Sequence, residues 1–125
     1  MRVKQVHVKR NKVRITLDTG KKLPEYKIKV IEHEPHVASN TPMRGKKIRI
    51  DNDMVDKKSN LKLLGVHEVV ERELLNKGFS EKYAHTEATR VERNYCYEHF
   101  GANKWRSYSQ QVNKISKKEK HQRRG

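Results

Sequence analysis

Apolar and charged residues alternate with a period of two through residues 3–8, 12–17 and 26–31, the pattern of strands with one buried and one wet face. Asp18-Thr19-Gly20-Lys21 supplies a turn between the second and third runs, so a meander of short antiparallel strands is predicted. Lys and Arg fill the alternate positions, which lines one solvated face with positive charge and discourages edge pairing. Residues 32–45 hold two Pro, a Gly, an Asn and a Ser and read as loop. Lys-Ile-Arg-Ile-Asp at 47–51 then reads as one more strand.

Beyond residue 58 the apolar spacing changes to three and four. Ser59 or Asn60 is the expected N-cap of a helix over 61–76, with Gly78 as its C-terminal stop. Its stripe runs Leu64, His67, Val70, Glu71 and Leu74, so two polar residues interrupt a core-facing row. Ser80 caps a second helix that continues to about His99, before Gly101. One face of this helix carries Ala84, His85, Ala88, Thr89, Glu92, Cys96 and His99, and its small residues permit close approach to another helix. The short link at 77–80 implies an antiparallel helical hairpin. A third helix is expected over 103–115, anchored by Trp105 and Tyr108. Residues 116–125 contain no apolar side chain and read as a disordered basic tail. The expected architecture is α+β: a single domain over 1–115, with a small antiparallel β-meander followed by an α-helical hairpin.

The chain has 125 residues, which suits one domain, and a formal net charge of +15. That charge is unevenly placed. Residues 67–98 hold seven acidic and five basic residues, whereas 1–66 carry +10 and 99–125 carry +7. The basic parts favour nucleic acid or another anionic surface. A single Cys precludes an intramolecular disulfide framework. No apolar run approaches a membrane span and the N-terminus lacks a secretory apolar region. The expectation is a soluble cytoplasmic protein without a membrane partner.

The acidic segment carries the candidate chemistry, Val66-His67-Glu68-Val69-Val70-Glu71, an HExxE run. His67 and Glu71 lie one helical turn apart and point the same way, so both can ligate one ion, and imidazole and carboxylate are ordinary Zn²⁺ ligands. Glu68 is displaced by about 100° around the helix, where the related HExxH arrangement keeps its general base. A third ligand is expected from His85 or Glu92 on the second helix. An antiparallel hairpin puts His85 beside Glu71 and Glu92 beside His67. His33 and His36 in the loop are further potential ligands.

The order of basic meander, loop, strand ending in Ile48-Arg49-Ile50-Asp51, helix with Val66-His67-Glu68-Val69-Val70-Glu71 and helix with Ala84-His85 resembles the minimal zincin-like metallopeptidase plan. More narrowly, it is similar to small uncharacterised phage and prokaryotic proteins with HExxE and AHxxA patterns. The resemblance covers residues 46–95 and implies a zinc ion, a polarised water, a peptide substrate and amide hydrolysis. Glu71 departs from the plan, standing where HExxH has its second His; a carboxylate there adds negative charge at the metal and makes the water less acidic.

A second functional class is nucleic-acid binding. Arg44, Lys46, Lys47 and Arg49 around the loop, and Lys117, Lys118, Lys120, Arg123 and Arg124 in the tail, can neutralise phosphates. Tyr26, Trp105 and Tyr108 are the aromatics that stacking on bases would use. No helix-turn-helix, zinc-finger or RNA-recognition pattern is present. A third class joins the two: a structural protein of a virion or ribonucleoprotein assembly, virion-associated if phage-encoded, whose zincin-like core is non-catalytic.

Overall fold

Period-two alternation sends Val6, Val8, Val13, Ile15, Leu17, Tyr26, Ile28, Ile48 and Ile50 into the core and leaves the intervening side chains exposed, apart from the half-buried Thr16. The computed structural model describes the backbone of residues 1–31, 38–39, 46–54 and 57–124, with the side chains of 31, 38, 39, 52 and 116–124 left aside. The strands are β1 (Val3–Lys9), β2 (Lys12–Leu17), β3 (Tyr26–Ile31), β4 (Ala38–Ser39) and β5 (Lys47–Asp51), and a 3₁₀ turn follows at Asn52–Met54. Helices α1 (Lys58–Asn76), α2 (Glu81–His99) and α3 (Ala102–Arg124) complete the α+β domain.

The sheet order is β1-β2-β3-β5-β4. The first three strands form the expected antiparallel meander. β5 departs from it by running parallel to β3, with Ile28 opposite Ile48 and Val30 opposite Ile50. Parallel neighbours need a crossover of about a dozen residues or more, and residues 32–46 supply that length. β4 lies inside the segment read as loop and pairs antiparallel with β5. The rest of that segment, with His33, His36 and Arg44, lies outside the described residues.

α1 packs against β1, β2 and β5 on one side and α2 on another. Leu63, Leu64, Gly65, Val66, Val69, Val70 and Leu74 are all buried, so more of its circumference is covered than a single stripe. Gly65 makes the close approach to the sheet possible, because a Cβ there would stand 3.0 Å from Val13 Cγ2. At its far end Gly78 has φ of 94°, Phe79 N–H donates to the Leu74 carbonyl at 3.2 Å and Gly78 N–H to that of Leu75 at 3.0 Å. These bonds form a Schellman stop, which is how Gly78 ends the helix. Ser80 Oγ then accepts from Tyr83 N–H at 3.1 Å and starts α2.

Two helix expectations need correction. α1 begins before Ser59 and Asn60, with Lys57 at the N-cap position and no side-chain cap. Asn60 is fully buried, and its amide is engaged elsewhere: Nδ2 donates to Gln111 Oε1 at 3.3 Å and Oδ1 accepts from Lys104 Nζ at 2.6 Å. On α2 the buried face is Ala84, Ala88, Val91, Glu92, Tyr95 and Cys96, so it is rotated away from His85 and His99, which are exposed. α3 extends to Arg124, through residues read from sequence as tail; their side chains lie outside the described residues. No helix among the described residues is long and apolar enough to cross a membrane.

Gly65→Ala at an exposed helical site would add about 1 kcal/mol. Here the Val13 contact absorbs most of that gain. In a Val13→Ala background the gain should be larger by about 0.5–1 kcal/mol, read from urea unfolding as a double-mutant cycle. Strict additivity would show that the helix is not seated on Val13.

Candidate metal centre

α1 presents His67 and Glu71 one turn apart, and the tight α1–α2 contact at Ala84 and Ala88 brings His85 and Glu92 opposite them. His67 Nε2 lies 3.3 Å from Glu71 Oε2, and His85 Nδ1 lies 3.0 Å from the same oxygen. The two imidazole rings meet edge to face, with centroids 4.9 Å apart. On the other side of the His67 ring, Nδ1 lies 3.2 Å from Glu92 Oε1. The antiparallel hairpin thus pairs His85 with Glu71 and Glu92 with His67, as the spacing implied.

His67, Glu71 and His85 each offer one ligand atom within 4.8 Å of the others. Zn²⁺ bonds of 2.0–2.2 Å at tetrahedral angles set ligand atoms about 3.4 Å apart; the two separations to Glu71 Oε2, 3.3 Å from His67 and 3.0 Å from His85, are close to that spacing. His67 and Glu71 side chains are 13% and 19% exposed while His85 is 67% exposed, so the group opens to solvent on the His85 side. Glu92 stands apart from this group because it faces the opposite ring nitrogen. A carboxylate on the second nitrogen of a ligating His holds its tautomer and orientation. Glu92 is itself held, buried at 5% exposure, by a hydrogen bond from the Tyr108 hydroxyl.

Sequence reading named Tyr108 but not its place behind Glu92 in the candidate site. It was read as an anchor of the third helix and as an aromatic for stacking on bases, whereas its hydroxyl donates to Glu92. Burial and the neighbouring Glu92 hold that hydroxyl well above the usual phenol range, so it is a donor throughout the ordinary pH range. Lys104 and Gln111 position α3 by gripping Asn60 in the first turn of α1, and Gln111 Nε2 also donates to the Asp53 carbonyl at 3.2 Å.

Without an ion, the same geometry holds a proton. Carboxylates only accept, so a ring lying between Glu71 and Glu92 carries hydrogen on both nitrogens. Burial opposes that charge, but the bonds to Glu71 and Glu92 and the fields of Glu92 and Glu68 outweigh it and raise the His67 pKa to about 10. A proton and a metal ion are therefore competitors for His67 Nε2.

Glu68 is buried at 6% exposure, and its charge is felt by both His67 and Tyr108. Arg72, one turn further on, is buried as well. Cys96 is buried, its thiol donates toward the Gly101 carbonyl and burial pushes its pKa up, which makes it an inert packing group. Tyr26 and Tyr108 are core residues, which removes them as base-stacking platforms. Lys46, Lys47 and Arg49 are exposed at β5. Arg44 and the side chains of Lys117, Lys118, Lys120, Arg123 and Arg124 lie outside the described residues.

Tyr108→Phe removes the donor to a buried carboxylate oxygen and should cost about 1–3 kcal/mol in urea unfolding; a neutral result would detach α3 from the site. In chelator-treated protein, the raised His67 pKa means that its contribution to stability is complete below its unfolded value of 6.5 and is lost as pH rises through about 10. The stability difference between wild type and His67→Ala should shrink across that interval, and a constant difference would contradict the doubly bonded imidazolium. No family model, no curated protein and no solved structure matches this chain.

Proposed function

We propose that this domain binds one divalent transition-metal ion, best matched by Zn²⁺, through His67 Nε2, Glu71 and His85, and uses it for hydrolysis of an amide bond in a peptide substrate. The single observation that carries the reading is the two-sided environment of His67. Nε2 belongs to the three-residue donor group, while Nδ1 is held by a carboxylate that is anchored in turn by a buried tyrosine. Three protein ligands with an open side fit a catalytic zinc better than a closed structural one, which takes four.

Bound by these residues, such an ion would polarise a water on its open side. The chain's own contribution is to orient the imidazole through Glu92 and to lower exposure of His67 and Glu71 by packing α2 across α1. Glu68 is the base by the zincin-like resemblance. A second reading rests on the carboxylates that flank both nitrogens of His67, at 3.3 and 3.2 Å: the ring is then an imidazolium clasp between α1 and α2, with no metal and no turnover.

Elemental analysis and zinc titration distinguish the two. Wild type should take up close to one ion per chain and His67→Ala none. Glu92→Gln should bind with affinity reduced about 10–100-fold, the usual effect of losing a carboxylate behind a ligating His. Glu68→Gln should keep the ion and lose hydrolysis of an unfolded protein such as casein. Wild type with a stoichiometry near zero after incubation with zinc would overturn the metal site. Full loading without turnover would leave the metal site and remove the hydrolase.

A further inference from the structure

The face of the sheet turned away from the helices carries a charge arrangement that folding alone does not favour. Lys9 is opposite Lys12 across β1–β2, Lys12 opposite Lys27 across β2–β3, and Lys27 opposite Lys47 across β3–β5. Four lysines thus form one straight row across four strands, each an exposed residue. Neighbouring strands lie about 4.8 Å apart, so the row spans about 14 Å. A second basic pair, Lys29 and Arg49, stands beside it, as does Arg14 opposite His7. Like charges directly opposite each other destabilise a sheet.

The hairpin that joins β1 to β2 makes a similar sacrifice. Arg10 and Asn11 both have positive φ, 51° and 62°, the backbone of a two-residue turn whose preferred residues are Asn and Gly. Arg in the left-handed region costs stability relative to Gly. Yet Arg10 lines a depression of about 500 Å³ on this face, together with Lys9, Lys12, Arg14, Lys22 and Glu25. Glu25 is the one acid of that lining, and its carboxylate pairs with Arg14 at 3.3 Å and Lys12 at 3.9 Å.

We infer that this face binds the phosphate backbone of double-helical nucleic acid, without sequence readout. Four lysines in register and the neighbouring Arg10 gather positive charge on one face, and neutralisation of phosphates supplies most non-specific affinity. The lining contains no apolar side chain and no Phe, Tyr or Trp, and His7 is its one ring, which disfavours insertion into a lipid surface and leaves little for stacking on the bases of a single strand. The surface is independent of the metal centre, which lies on the helical side of the domain.

The test is fluorescence anisotropy with 30-base-pair DNA and RNA duplexes, from 50 to 200 mM salt. Replacement of Lys9, Lys12, Lys27 and Lys47 by Gln should lessen the log–log salt slope by about 3–4, from a slope of about 0.9 per phosphate contact. Equal neutralisation on the helical side, at Lys58, Lys77, Lys82 and Arg93, should change it by less than half as much. Arg10→Gly should raise the melting temperature while weakening duplex binding at least threefold, a combination that a purely structural role would not give. Equal slopes for the two quadruple variants, an Arg10→Gly protein that binds as wild type, or tighter binding to vesicles of anionic lipid than to either duplex would overturn the proposal. Preference for one duplex type over the other would support it and name the polymer.

Discussion

The burial of α1 constrains everything around it. The helix is seated on the sheet at Gly65 against Val13 and is crossed by α2 at Ala84 and Ala88. A polar group on its covered sides must therefore find its partners within the protein, because water does not reach it. Asn60, His67 and Glu68 are all placed under that condition. Asn60 is satisfied by Lys104 and Gln111 of α3, and His67 by Glu71 of its own helix and Glu92 of α2.

The same constraint explains why the candidate site is layered. The innermost partner is the Tyr108 hydroxyl, then Glu92, then the His67 ring, then Glu71 and the exposed His85. Each step outward is more accessible than the one before, so the inner members are rigid and the outer ones can exchange a proton or an ion with solvent. A group held this way presents one nitrogen in a fixed direction, which a ligating histidine requires.

Opposite the helices, the sheet uses its solvated face differently. Its interior side is a regular apolar layer, but its outer side lines up cations in register where alternating signs would be more stable. The two faces share only the pleat: what turns Val13 toward Gly65 also turns Lys12 and Arg14 outward. A domain with a carboxylate-rich site between its helices and a basic row on its sheet keeps the two apart by the thickness of its own core.

By itself, the sequence determined what is local. Strand limits follow from period-two alternation, the stop at Gly78 and the cap at Ser80 from single-residue conformational preferences, and the His67–Glu71 pair from one turn of helix. Each of these needs only neighbours within four residues. Tertiary structure decided the rest: that β5 lies parallel to β3, that Asn60 is buried polar structure rather than a cap, that Glu92 and Glu71 sit on opposite nitrogens of one ring, and that Tyr108 stands behind them. It also set the register that puts Lys9, Lys12, Lys27 and Lys47 in one row. These contacts join elements far apart in sequence, and their geometry depends on how close a helix can approach a sheet, which no periodicity encodes.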